Sequence, residues 1–144
     1  MAEQWGKFKT AGIGHVGSYQ ASGHPWVSGS HLEAKHEHTI TFPFVTKSIT
    51  VMQTGSTGKV RIHFVATGTM EGPKAADQGD GVGKANNFWE FNSKEDAMTM
   101  NIKCKELFIS NGDVNNNTGY RIFAELTRIS TAHMWDLTGS GISD

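Results

Sequence analysis

The chain has 144 residues, with thirteen basic against fourteen acidic for a net charge of −1, four tryptophans and one cysteine. A domain of this length buries roughly 70% of its unfolded surface, so a core can form without metal or cross-links. The charge balance argues against nucleic-acid binding, which needs a basic patch, and a lone Cys104 excludes an internal disulfide framework.

Residues 1–37 hold six glycines among Trp5, Phe8, Tyr19 and Trp26, with no sustained period of 2 or 3.6. Aromatics need a surface to bury against, so this zone is expected as an extended N-terminal arm on its own sandwich or on a neighbouring subunit. An irregular first strand with loops is the equal alternative. Residues 38–135 are expected as a β-sandwich domain. Ile40, Phe42 and Phe44 alternate with polar residues, and Pro43 marks a strand end. Ser48–Met52 is a second strand, residues 53–58 a hairpin loop, and Lys59–Thr67 the returning strand, with Val60, Ile62, Phe64 and Ala66 inward.

A glycine-rich loop over 68–87 follows, long enough to suggest contact with something else. Pro73, Lys74, Asp77, Asp80 and Lys84 would carry that contact. Phe88, Trp89 and Phe91 open the next strand. Met98, Met100, Ile102 and Cys104 alternate, and the slip to Leu107 and Ile109 predicts a β-bulge. Residues 110–119 form an asparagine-rich turn, and Tyr120–Ile129 the last long strand. Residues 136–144 are expected as a loose C-terminal tail. Seven or eight strands separated by turn signals make the chain all-β, an antiparallel β-sandwich with a jelly roll among the forms expected.

No motif assigns chemistry. His31, His36 and His38 fall within eight residues, and a strand would put His36 and His38 on one face, a weak alternative as zinc or copper ligands. Solvent-facing histidines are the simpler reading, so no metal or cofactor is expected. The Gly79–Lys84 loop has Gln78 and Ala85 where a phosphate cradle needs glycine and a hydroxyl. Asp77, Asp80 and Asp113 could suggest calcium, but Asp113–Asn117 lacks the glycine and terminal glutamate of such a loop. Glu90 and Glu125 are not brought together by anything in the sequence, and Cys104 reads as a buried hydrophobe. The chain is therefore not expected to be an enzyme. Trp89 or Trp135 could instead stack on a sugar, which gives a carbohydrate-binding module as an alternative. No segment has the roughly 20 apolar residues of a membrane helix, and Met1–Trp5 lacks signal-peptide order, so cytoplasmic synthesis and no membrane partner are expected.

Five segments, HVGSYQASGHPWVSG (15–29), ITFPFVTKSITV (40–51), VRIHF (60–64), FISN (108–111) and AELT (124–127), together resemble small virion structural proteins of marine tailed bacteriophages, including those of cyanobacteria. The resemblance implies a noncatalytic virion component made in the bacterial host cytoplasm. The expectation is a capsid decoration protein, in the style of a cement or knob, docking on the major capsid protein or other virion proteins. It would be homo-oligomeric or lattice-bound, with Trp5, Phe8, Tyr19 and Trp26 and the 68–87 loop as contacts. A self-assembling tail subunit is the alternative within that class.

Overall fold

Eight strands form two antiparallel four-stranded sheets in the computed structural model, which describes residues 13, 23–66, 87–113, 115–139 and 141–142. In chain order they are β1 (His24–Leu32), β2 (Glu37–Thr41), β3 (Phe44–Gln53), β4 (Val60–His63), β5 (Trp89–Glu90), β6 (Ala97–Met100), β7 (Glu106–Asn111) and β8 (Thr118–Ser130). One sheet has the order β1-β8-β3-β6 and the other β2-β7-β4-β5. The pairing is nested: β1 with β8, β2 with β7, β3 with β6 and β4 with β5. After β8 the chain makes one 3-10 turn, Thr131–His133, capped by the Ser130 hydroxyl accepting from the Ala132 N–H.

Period-two alternation fills the space between the sheets. Ile49, Val51, Tyr120, Ile122 and Ala124 from the first sheet meet Ile40, Val60, Ile62, Leu107 and Ile109 from the second, all buried. Cys104 sits in the same core, and burial pushes its thiol up to about 11. An all-β antiparallel sandwich is the architecture expected from the sequence.

Two sequence expectations change. Residues 53–58 do not close a hairpin: β3 and β4 lie in different sheets, so this loop turns the corner between layers. The buried Gln53 amide holds that corner, with Nε2 donating to the Gly55 and Gly58 carbonyls (3.0 and 3.4 Å) and Oε1 accepting from the Val60 N–H (3.2 Å). The slip after Cys104 is likewise a change of sheet, since β6 belongs to one layer and β7 to the other. The register breaks lie in β3, on both sides of Thr46. There the Thr46 hydroxyl accepts from the Cys104 N–H (3.0 Å) and donates to the Ile102 carbonyl (2.9 Å), so one buried side chain pairs backbone that the ladder leaves open.

The zone 1–37 is expected as an arm or, equally, as an irregular first strand with loops. Its residues 24–32 are an integral strand, paired with β8 in unbroken register from His24↔Leu126 to Leu32↔Thr118. The tail expectation covers Leu137, which packs against the core, and Asp136, which pairs with Lys105.

Candidate interaction surface

The two sheets differ sharply on their outer faces. On the second sheet, Arg61 and His63, expected to face water, are buried. The Phe88 ring stands 4.1 Å from the Arg61 guanidinium, and Phe108 stacks on His63 with ring centroids 5.8 Å apart. Glu37, Ser110, Arg61 and Glu90 form one cross-strand row, tied by an Arg61–Glu90 ion pair that Lys59 joins at 3.9 Å.

In the neighbouring row, opposite Phe108, His63 Nε2 lies 2.8 Å from Ser110 Oγ and 3.3 Å from Glu37 Oε1, a grouping that sequence spacing does not announce. The Val65 carbonyl lies 2.7 Å from Nδ1 and can only accept, which fixes Nδ1 as the protonated nitrogen and makes the Ser110 hydroxyl the donor to Nε2. A nucleophile and its base have this contact, but both Ser110 and His63 are fully buried. A carbonyl rather than a carboxylate orients the ring from behind. Desolvation lowers the His63 pKa from its ordinary 6.5. His63, Ser110 and the Val65 carbonyl pair with one another where a substrate cannot reach, while the buried Arg61 Nη1 beside them has no hydrogen-bond partner among the described residues.

The first sheet is open instead. Across its outer face the strands align Val27, Phe123, Thr50 and Thr99 in one row. Val27 is 67% exposed and Phe123 46%, side by side on paired strands, and Thr50 and Thr99 share a 2.9 Å hydrogen bond beside them. Gly29, the exposed Arg121, Met52 and Ala97 form the adjoining row, so Arg121 borders Phe123 on one side, while Lys47, Ser48 and Glu125 supply a polar border on the other, in which Lys47 and Glu125 pair at 3.8 Å. An apolar centre rimmed by polar groups has the composition of a protein contact surface. Trp89 and Trp135 are also exposed, and Trp89 borders an apolar crevice with Phe64, Met98 and Met100 between the edge strands β5 and β6.

The sequence-predicted residues fall as follows. Trp26 lies in β1, half-buried, with its ring edge-on to Phe42 at 5.0 Å, so it packs on its own core. Trp5, Phe8, Tyr19, Pro73, Lys74, Asp77, Asp80 and Lys84 lie outside the described residues. The three histidines do not converge. His31 is exposed on β1, His36 precedes β2 with Nδ1 2.9 Å from the Ala34 carbonyl, and His38 faces inward with Nδ1 2.9 Å from the Tyr120 hydroxyl. Among the described residues no group of three metal-binding side chains forms. Asp113 takes up the backbone N–H of Asn115 and Asn116 (2.8 and 3.0 Å), which holds its carboxyl below the usual carboxylate range and serves the turn. Glu90 and Glu125 lie in opposite sheets. Val27 and Phe123 escaped sequence reasoning because an apolar residue in an alternating strand reads as core; only the opposite phase of Phe123 against Ile122 and Ala124 signals an outward aromatic.

No protein-family model and no curated protein matches this chain. The crystal structure of the Yersinia pseudotuberculosis-derived mitogen resembles it over 74% of this chain and 88% of that one, at 9% identity and a TM-score of 0.38, a likeness too low to carry an argument.

Proposed function

We propose that the chain is a noncatalytic virion structural protein of a tailed phage, a capsid decoration protein that docks by the outer face of its first sheet. The observation that carries this reading is the exposed Val27–Phe123 pair at the centre of that face. Burying such a pair against a lattice contributes roughly 25 cal/mol per Å² of apolar area removed from water, and a rigid sheet loses little entropy on docking. The segment resemblance given above supports the same class. We also assign the nested strand order to the jelly-roll form of sandwich, which recurs in viral capsid and lectin domains, so the fold alone does not choose between them. The carbohydrate reading would instead rest on Trp89 at its crevice.

Quantitative mass spectrometry of gradient-purified phage particles tests the proposal. A decoration protein is present at a fixed ratio to the major capsid protein and is retained after tails are removed. Loss with the tails would select the tail alternative, and absence from particles would overturn the virion reading.

A further inference from the structure

Each sheet ends in two edge strands, β1 and β6 in the first and β2 and β5 in the second. β2, β5 and β6 span 5, 2 and 4 residues, whereas β1 spans 9. Shortness is one way in which a sheet edge is kept from pairing with another chain, and charge is another. β1 has neither protection. Its sequence HPWVSGSHL holds no Asp, Glu, Lys or Arg, and its register against β8 runs without a bulge. Among the described residues β8 is the one strand beside it, so its other side is open.

The phase of that open side follows from the hydrogen bonds of β8. The Gly119 carbonyl accepts from the Thr54 N–H (2.9 Å), so Gly119 faces β3, and Tyr120, one residue on, faces β1. Tyr120 stands opposite Ser30. The even-numbered residues of β1 therefore bond to β8, while Pro25, Val27, Gly29 and His31 turn their backbone groups to the open edge. Val27 and Gly29 each present a donor and an acceptor there, with no backbone partner among the described residues. The other two positions differ. Pro25 has no N–H to present, and the His31 carbonyl already accepts from the Ser30 hydroxyl (3.1 Å).

From this pattern we infer that the open edge of β1 pairs antiparallel with β1 of a second copy, about a two-fold axis through Ser28. In that register Val27 and the partner's Gly29 exchange both N–H to carbonyl bonds, and the His31 N–H meets the partner's Pro25 carbonyl. The His31 carbonyl then faces the proline that has no N–H, and it is the carbonyl that Ser30 already holds. One strand thus carries both halves of the match, which is what favours a second copy over an unrelated segment. Shifted axes lose it. An axis through Val27 sets Gly29 against Pro25 and leaves the Gly29 carbonyl open, and one through Gly29 sets Pro25 against Glu33, beyond the end of β1. Side chains agree with the central axis: Val27 lies beside the partner's Gly29 and Trp26 beside the partner's Ser30, large against small. The lack of charge also removes the like-charge repulsion that a two-fold axis would create. The two first sheets join into one continuous sheet with both Val27–Phe123 pairs on the same outer face. The pairing therefore leaves the docking face open and does not depend on the virion reading.

Light scattering of the full chain across a concentration series, combined with cysteine cross-linking, tests the inference. It predicts a monomer–dimer equilibrium. Ser28→Cys sets two thiols opposite each other at the axis, in a non-hydrogen-bonded pair with Cα atoms about 4.5 Å apart, so diamide should link it as a disulfide dimer. Cys104 is buried and does not compete. Ser30→Cys should give at least about tenfold less linked dimer, because that position faces the partner's Trp26 rather than its own copy. Val27→Pro removes an edge-facing N–H and leaves the bonds to β8 in place, so it should raise the dimer dissociation constant at least about tenfold with circular dichroism unchanged. A monomer at every concentration, the result if another segment of this chain covers the edge, would overturn the inference. A dimer that Ser28→Cys does not link, that Ser30→Cys links equally well, or that a folded Val27→Pro leaves intact would form through another surface and would overturn it too.

Discussion

Replacing Asn111 by alanine should cost this protein about 3 kcal/mol. The side chain is fully buried and makes four hydrogen bonds that join β1, the corner loop and both sides of the asparagine-rich turn. A typical intramolecular hydrogen bond contributes about 1 kcal/mol net, and the contacts at 2.7, 2.9 and 3.1 Å count nearly in full, while that at 3.4 Å adds little. The orphaned groups do not all stay dry: Asn116 is exposed and Asp113 half-exposed, so water replaces part of what is lost there. The Leu32 carbonyl and the Lys59 N–H keep a larger penalty. For a domain of this size, about 3 kcal/mol corresponds to a fall in Tm of roughly 12 °C. Urea unfolding followed by tryptophan fluorescence would read the change in midpoint at constant slope. A loss below about 1 kcal/mol would refute the claim that Asn111 organises this end of the sandwich.

Three further outcomes follow from the same physics. Because burial lowers the His63 pKa in the folded state, the unfolded chain binds more protons below about pH 6.5, so stability present at pH 7.5 is lost progressively as pH falls from there toward the depressed folded value. Urea midpoints at pH 7.5 and 5.5 should differ, and His63→Gln should reduce that difference; an unchanged slope would exclude His63 as its source. Cys104 should resist a thiol reagent in the native protein at pH 8 and react only on unfolding, given its burial and a pKa pushed up to about 11; rapid native labelling would contradict the core placement. Val27→Lys and Phe123→Lys should each cost less than about 1 kcal/mol by thermal melting, since both side chains already face solvent; a larger loss would mean that this face is covered.

The long strands were legible in the sequence because alternation there coincides with burial. Tyr120, Ile122, Ala124 and Leu126 all point into the core, and β8 is the centre of its sheet. In β1 the alternation is obscured, because its inward positions include Ser28 and Ser30 as well as Trp26 and Leu32 while Val27 points outward, so the sequence leaves an arm and an irregular first strand as equal readings. Residues 53–58 show why local turn chemistry cannot give topology: glycine and serine permit a reversal but do not specify whether the flanking strands pair or face each other. Arg61 and His63 followed the period correctly, yet their outward face is buried under Phe88 and Phe108, which alternation alone cannot foresee.

The central claim is that the outer face of the first sheet docks on a virion lattice. Co-sedimentation of the purified chain with phage heads stripped of it, across a concentration series, tests that claim most directly. The account predicts saturable binding at a fixed ratio to the major capsid protein, abolished in the Val27→Lys, Phe123→Lys double variant while the variant remains folded. Undiminished binding by that variant, or no binding by the native chain, would contradict it.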